Sequence, residues 1–217
     1  AVVCAARREH EIQRVADEIC ADGGRAIAVP TDVTDVQQLH ALADAALSEY
    51  GSLNIWVNNA GGSPIQTPLV ELSEHEWQAT LALNLTAVWR GCVIASKQLA
   101  DGGRIVNISS LAAQMIIPGS GHYAIAKAGV NVLTKTLAQE LGPRIRVNGI
   151  MPGMVPTEIA MQAMSLTDDD LPGLEKMLRL PAGRLGTPRD LGAAALFLAS
   201  PGAEWITGQV IQVSGGP

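Results

Sequence analysis

Gly103-Arg-Ile-Val-Asn-Ile-Ser-Ser110, followed thirteen positions after Ser110 by Tyr123 in Gly121-His-Tyr-Ala-Ile-Ala-Lys-Ala128, decides how this chain folds. The first piece reads as a buried parallel strand that stops in two hydroxyls, the composition of a ligand loop at the carboxyl edge of a sheet. The second reads as a helix. Tyr123 and Lys127 stand four apart on it, so about one turn brings both side chains to one face. A tyrosine titrates near ~10 and is a poor acid-base group at neutral pH, but a neighbouring ammonium favours the phenolate and lowers that value. The spacing therefore predicts a proton donor.

By itself a Tyr-x-x-x-Lys pair also fits an ordinary amphipathic helix with a solvated lysine. Its surroundings decide the matter. Asn58-Asn-Ala-Gly61 follows a strand pattern at 53–57, Asn84 sits among Leu81, Leu83 and Leu85 in an apolar helix, and Pro152-Gly153 follows the strand pattern 145–150. With these motifs in this order, the chain resembles the short-chain dehydrogenase/reductase family along its whole length, in particular its compact 3-oxoacyl-carrier-protein reductase type.

Alternating strand and helix patterns predict an α/β fold, a three-layer doubly wound Rossmann arrangement with a mostly parallel sheet. The resemblance implies roles for individual residues. Ser110, Tyr123 and Lys127 are the expected catalytic group, and the main-chain carbonyl of Asn84 is expected to hold a water leading to the lysine. Asn59, Ala60 and Gly61 are assigned to the cofactor ribose, which Tyr123 and Lys127 also approach. Pro152, Gly153, Val155 and Thr157 are assigned to the nicotinamide carboxamide and pyrophosphate. Asp32, with the Val33 amide, is assigned to the adenine edge, because Thr34 or Asp35 caps the next helix and leaves Asp32 free.

Residues 1–6 are wholly apolar, the pattern of an interior strand. In the family this is the second strand, so a first strand and a glycine-rich phosphate turn are expected before it and the sequence reads as N-terminally truncated. Arg7 and Arg8 follow directly. An NAD site carries a carboxylate at this strand end, whereas here Ala6 takes that place and two guanidiniums offer an adenosine 2′-phosphate paired hydrogen bonds. We expect NADP(H) in preference to NAD(H).

A single catalytic domain of 217 residues is expected, with 47% hydrophobic and 17% charged residues and a formal charge of −6. No basic stripe for nucleic acid and no contiguous apolar run near ~20 residues is present, so neither nucleic acid nor membrane is expected as a partner. Cys4, Cys20 and Cys92 lie in apolar patterns and read as buried thiols in a reducing cytoplasm, with no metal site. Residues 154–180 read as a substrate lid. Five of six methionines fall in or beside it and Met115 lies between Ser110 and Tyr123, consistent with core filler or an adaptable apolar pocket. The substrate is expected to be a small carbonyl or alcohol compound, and the resemblance implies a homotetramer. An epimerase or dehydratase on a related fold, and a non-catalytic dinucleotide sensor, are the alternatives.

Overall fold

The computed structural model describes residues 1–216. Strands β1 (Val2–Ala6), β2 (Ala26–Pro30), β3 (Leu53–Asn58), β4 (Leu99–Ile108), β5 (Ile145–Pro152) and β6 (Val210–Val213) are all parallel to their neighbours. Helices α1 (Glu9–Ala21), α2 (Val36–Tyr50), α3 (Glu74–Leu81), α4 (Ala87–Gln98), α5 (Gly121–Leu141), α6 (Glu158–Met164), α7 (Leu171–Leu178) and α8 (Pro188–Ala199) connect them. Asp35 caps α2, its carboxylate accepting the Gln37 amide, and Ser73 with Glu76 forms the capping box of α3.

Adjacent strand residues send side chains to opposite faces, and this builds two helical layers. Ile105 packs with Leu39 and Ala43 of α2, Val88 and Ile94 of α4, and Val130 and Ala138 of α5. Val106 and Ile150 pack with Leu198 of α8 on the other face. Full burial of such side chains stabilises the fold by ~1.5–3 kcal/mol each. The exposed C-terminal carbonyls of α8 are met by Arg146, which donates to Leu198 O and Ser200 O at 3.0 and 3.2 Å.

Three features bear on the sequence expectations, and the second corrects one of them. The parallel sheet is divided: β1 and β2 form one sheet, and β3-β4-β5-β6 another, with no described strand between β1 and β3. Helix α2 packs against both β1 and β3 and joins the two. The thiols are not alike, since Cys92 is buried, Cys4 is half-buried and Cys20 is exposed at the end of α1. Finally, Glu74–Gln98 is one helical segment of 25 residues, long and apolar enough by length and composition to cross a membrane, with 44% of its apolar window buried. Asn84, Thr86 and Arg90 interrupt its apolar run. In the fold its Val88, Cys92, Ile94 and Ala95 belong to the main core.

Candidate active site

Strands β3 and β4 end nearly level, Asn58 opposite Asn107, and β5 runs on from Gly149, opposite Asn107, to Pro152. Their following loops therefore open on one edge. Ser109, just past β4, is fixed from two sides: its amide donates to Ile150 O at 2.7 Å and its hydroxyl to Lys127 O at 3.0 Å. Beneath the loops runs a buried polar chain. Trp56 Nε1 donates to Asn58 Oδ1 (2.8 Å), Asn58 Nδ2 to Asn107 Oδ1 (2.8 Å), and Asn107 Nδ2 to Thr134 Oγ1 (3.0 Å). It ties the end of β3 to β4 and α5, and it accounts for the first asparagine of Asn58-Asn-Ala-Gly61.

Lys127 is the centre of the site and is 2% exposed. Its Nζ donates to Ile108 O at 2.8 Å, bracing the strand end that carries Ser109 and Ser110. Gly61 lies against it so closely that a Cβ there would sit 2.9 Å from both Lys127 Nζ and Asn84 Oδ1. Only glycine permits that approach. Asn84 reaches this point from a π-helical turn, Ala82–Thr86, in which the Ala87 amide bonds to Ala82 O. Such a one-residue insertion is common at functional sites. The Asn84 side chain accepts the Gly62 amide at 2.7 Å and donates to Gly62 O at 3.0 Å and Thr80 O at 3.1 Å. The structure thus gives the side-chain amide a definite task, clamping Gly62, beyond the main-chain role expected of this residue.

The electrostatics differ from the sequence expectation. Burial lowers the Lys127 pKa to about 8. Burial also raises the Tyr123 phenol above its ordinary value, while the neighbouring Ser110 hydroxyl pulls it back through a hydrogen bond. The expected lowering by Lys127 is absent: Nζ lies 5.8 Å from the Tyr123 ring centroid and is directed at Ile108 O. Desolvation of both groups outweighs their mutual attraction. Ser110 caps the short 3₁₀ turn Leu111–Ala113, its Oγ accepting the Ala112 amide at 3.2 Å.

Further along the edge, Arg7 lies near enough to Asp32 to help hold its carboxyl below the usual range, after the larger effect of two hydrogen bonds from Thr34. Those bonds, 2.9 Å from the amide and 2.7 Å from the hydroxyl, engage a carboxylate that the sequence reading left free. Val33 packs on the main core. Arg8 pairs with Glu158 at 2.9 Å, at the start of α6. Gly153 donates its amide to Val213 O at 3.0 Å, the Thr157 amide donates to Val155 O at 2.8 Å, and Thr157 begins α6. Asn59 and Ala60 continue from β3 into the Gly61 turn. Two contacts were not read from the sequence. One is Arg8 with Glu158, 150 positions apart. The other is His122 Nε2 with Ser63 Oγ at 3.1 Å. No sequence pattern signals either one.

The residues fit a nicotinamide dinucleotide. Lys127 offers three donors, one of them given to Ile108 O, beside a glycine whose missing side chain makes room for its ammonium.

The family model described as enoyl-(acyl carrier protein) reductase matches residues 1–217. The 3beta-hydroxysteroid dehydrogenase 1 of Eggerthella lenta is 41% identical over 198 residues, 89% of this chain and 74% of that protein. The 3-oxoacyl-[acyl-carrier-protein] reductase of Vibrio cholerae is 36% identical over 198 residues, covering 90% of this chain and 78% of the other. A solved structure of 7 alpha-hydroxysteroid dehydrogenase complexed with NADH and 7-oxo glycochenodeoxycholic acid superposes with a TM-score of 0.90 at 36% identity, covering 100% of this chain and 84% of that one. Matched over its full length by the family model and by relatives of this kind, the chain belongs to the short-chain dehydrogenase/reductase family of NAD(P)-dependent oxidoreductases acting on CH–OH and C=O groups.

Proposed function

We propose that this protein is an NADP(H)-dependent oxidoreductase that interconverts a carbonyl and a secondary alcohol, with Tyr123 as general acid and base. The observation that carries this reading is the convergence of Gly61, Asn84 and the buried Lys127 ammonium beside Tyr123 and Ser110. When bound, the nicotinamide supplies or receives the hydride. In reduction, Ser110 donates a hydrogen bond to the substrate oxygen and Tyr123 gives it a proton. With its pKa raised, the phenol is protonated in the free enzyme at neutral pH, the state in which reduction begins. Lys127 anchors the ribose hydroxyls with its remaining donors, and Asn84 belongs to the route that resupplies protons. Oxidation uses the same groups in reverse.

Asn59, Ala60 and Gly61 line the ribose region, Pro152, Gly153, Val155 and Thr157 hold the nicotinamide end, and Asp32 with Val33 meets the adenine. Arg7 reads the adenosine 2′-phosphate, and Arg8 joins it on leaving Glu158. Residues 154–180 serve as a lid within one catalytic domain, and exposed Met115, Met164 and Met177 offer apolar surface to a bulky substrate. Relatives named for hydroxysteroids and an acyl carrier thioester support that choice. The free cysteines fit a reducing cytoplasm. We place the enzyme in a homotetramer.

The test is oxidation of NADPH and of NADH against a panel of steroid, acyl-thioester and small ketones, by wild type and Arg7→Ala. Wild type should prefer NADPH, and Arg7→Ala should reduce that preference by about 10- to 100-fold, the loss of one charge-assisted contact. A wild type that prefers NADH, or unchanged selectivity in the variant, contradicts the assignment.

A further inference from the structure

His122 is fully buried in the first turn of α5, one residue before Tyr123. Burial lowers its pKa, with Glu76 of α3 opposing, so the imidazole is neutral at pH 7 and carries one N–H. Nε2 shares a proton with Ser63 Oγ across 3.1 Å, and the same oxygen accepts the Ile65 amide at 3.3 Å. Nδ1 is buried without a partner. As a packing element such a ring is a poor choice, because a leucine would fill the space and leave no polar atom orphaned. What it does supply is a directed tie between α5 and the loop after Gly61.

That loop is held on the adjacent residue as well. Asn84 binds both the N–H and the carbonyl of Gly62, from the π turn. Gly62 and Ser63 are therefore pinned from two helices, and immediately before them Gly61 faces Lys127 Nζ. We propose that Ser63 and His122 form a positioning clasp that sets the 59–62 turn against Tyr123 and Lys127, and so tunes dinucleotide affinity without touching the reacting atoms. The second half of this statement rests on the function proposed above.

Ser63→Ala, His122→Leu and His122→Gln test it, read by titration of NADPH fluorescence and by amide exchange of Gly62 and Ile65 in the free protein. Ser63→Ala and His122→Leu should each weaken NADPH binding by about 3- to 10-fold, and the double variant should be no worse than the weaker single one. His122→Gln, whose amide can reach the hydroxyl, should restore most of the affinity. Exchange at both amides should quicken in step with the loss. If His122→Leu only lowers the unfolding midpoint while affinity and exchange match wild type, the pair is a packing contact and the clasp is wrong. A wild type that binds neither NADPH nor NADH contradicts the proposed function instead, and the exchange rates then decide the clasp by themselves.

Discussion

Lys127 sits where an ammonium is costly, and the cost has a pH signature. Its folded pKa of about 8 lies below the ordinary 10.5, so above about pH 8 the unfolded chain binds a proton that the folded one has released. Stability then rises with pH relative to a variant lacking the group. Lys127→Met should therefore gain on wild type at neutral pH, and the difference between them should move in favour of wild type by about 2 kcal/mol between pH 7 and pH 9.5. Denaturant unfolding of both proteins at the two pH values measures this; a constant difference would mean that the lysine is hydrated in the folded state. The identity of Ser110, Tyr123 and Lys127 was legible because their spacing and their place after a strand are sequence properties. Their ionisation was not, because Tyr123 and Lys127 are desolvated by residues distant in the chain, and desolvation reversed the expected shift of the phenol.

Among the elements, helix α4 carries the sharpest packing constraint. A Cβ on Gly91 would stand 2.2 Å from Asn58 Oδ1 and 2.9 Å from Trp56 Nε1. Helix propensity alone says that alanine is better than glycine here by ~1 kcal/mol. The contact says the reverse, since the methyl group would displace the Asn58 amide from the buried chain linking Trp56, Asn107 and Thr134. Gly91→Ala should destabilise the protein by roughly 1–3 kcal/mol. Chemical denaturation decides between the two signs, and a stabilised variant would show that α4 can withdraw from β3 at no cost. The start of α2 was readable from its capping residue Asp35, and the ends of β3 and β5 from the strand patterns and the motifs that follow them. The π turn at Asn84 was not, because the apolar residues Leu81, Leu83 and Leu85 surround it on several faces and hide a one-residue shift of phase.

The whole molecule joins these parts into a doubly wound fold whose carboxyl edge gathers residues from the ends of β3, β4 and β5, from the π turn and from α5. Order of motifs made that gathering legible, while the pairing of Arg8 with Glu158 depends on a neighbour that the sequence does not announce. Large apolar side chains remain outside: Trp89, Ile125 and Val132 on α4 and α5, and Leu196, Phe197 and Trp205 in and after α8. Two such faces on one chain fit an assembly of four copies, since a monomer rarely leaves so much apolar surface to water. Sedimentation at micromolar concentration should give a tetramer, and a monomer throughout would count against the proposal. The claim on which everything else rests is that Tyr123 moves the proton. Steady-state reduction of the best carbonyl substrate by Tyr123→Phe, at saturating NADPH, measures it: the account predicts loss of turnover by at least about a thousandfold with NADPH affinity near that of wild type. A variant that keeps most of the wild-type rate would contradict it.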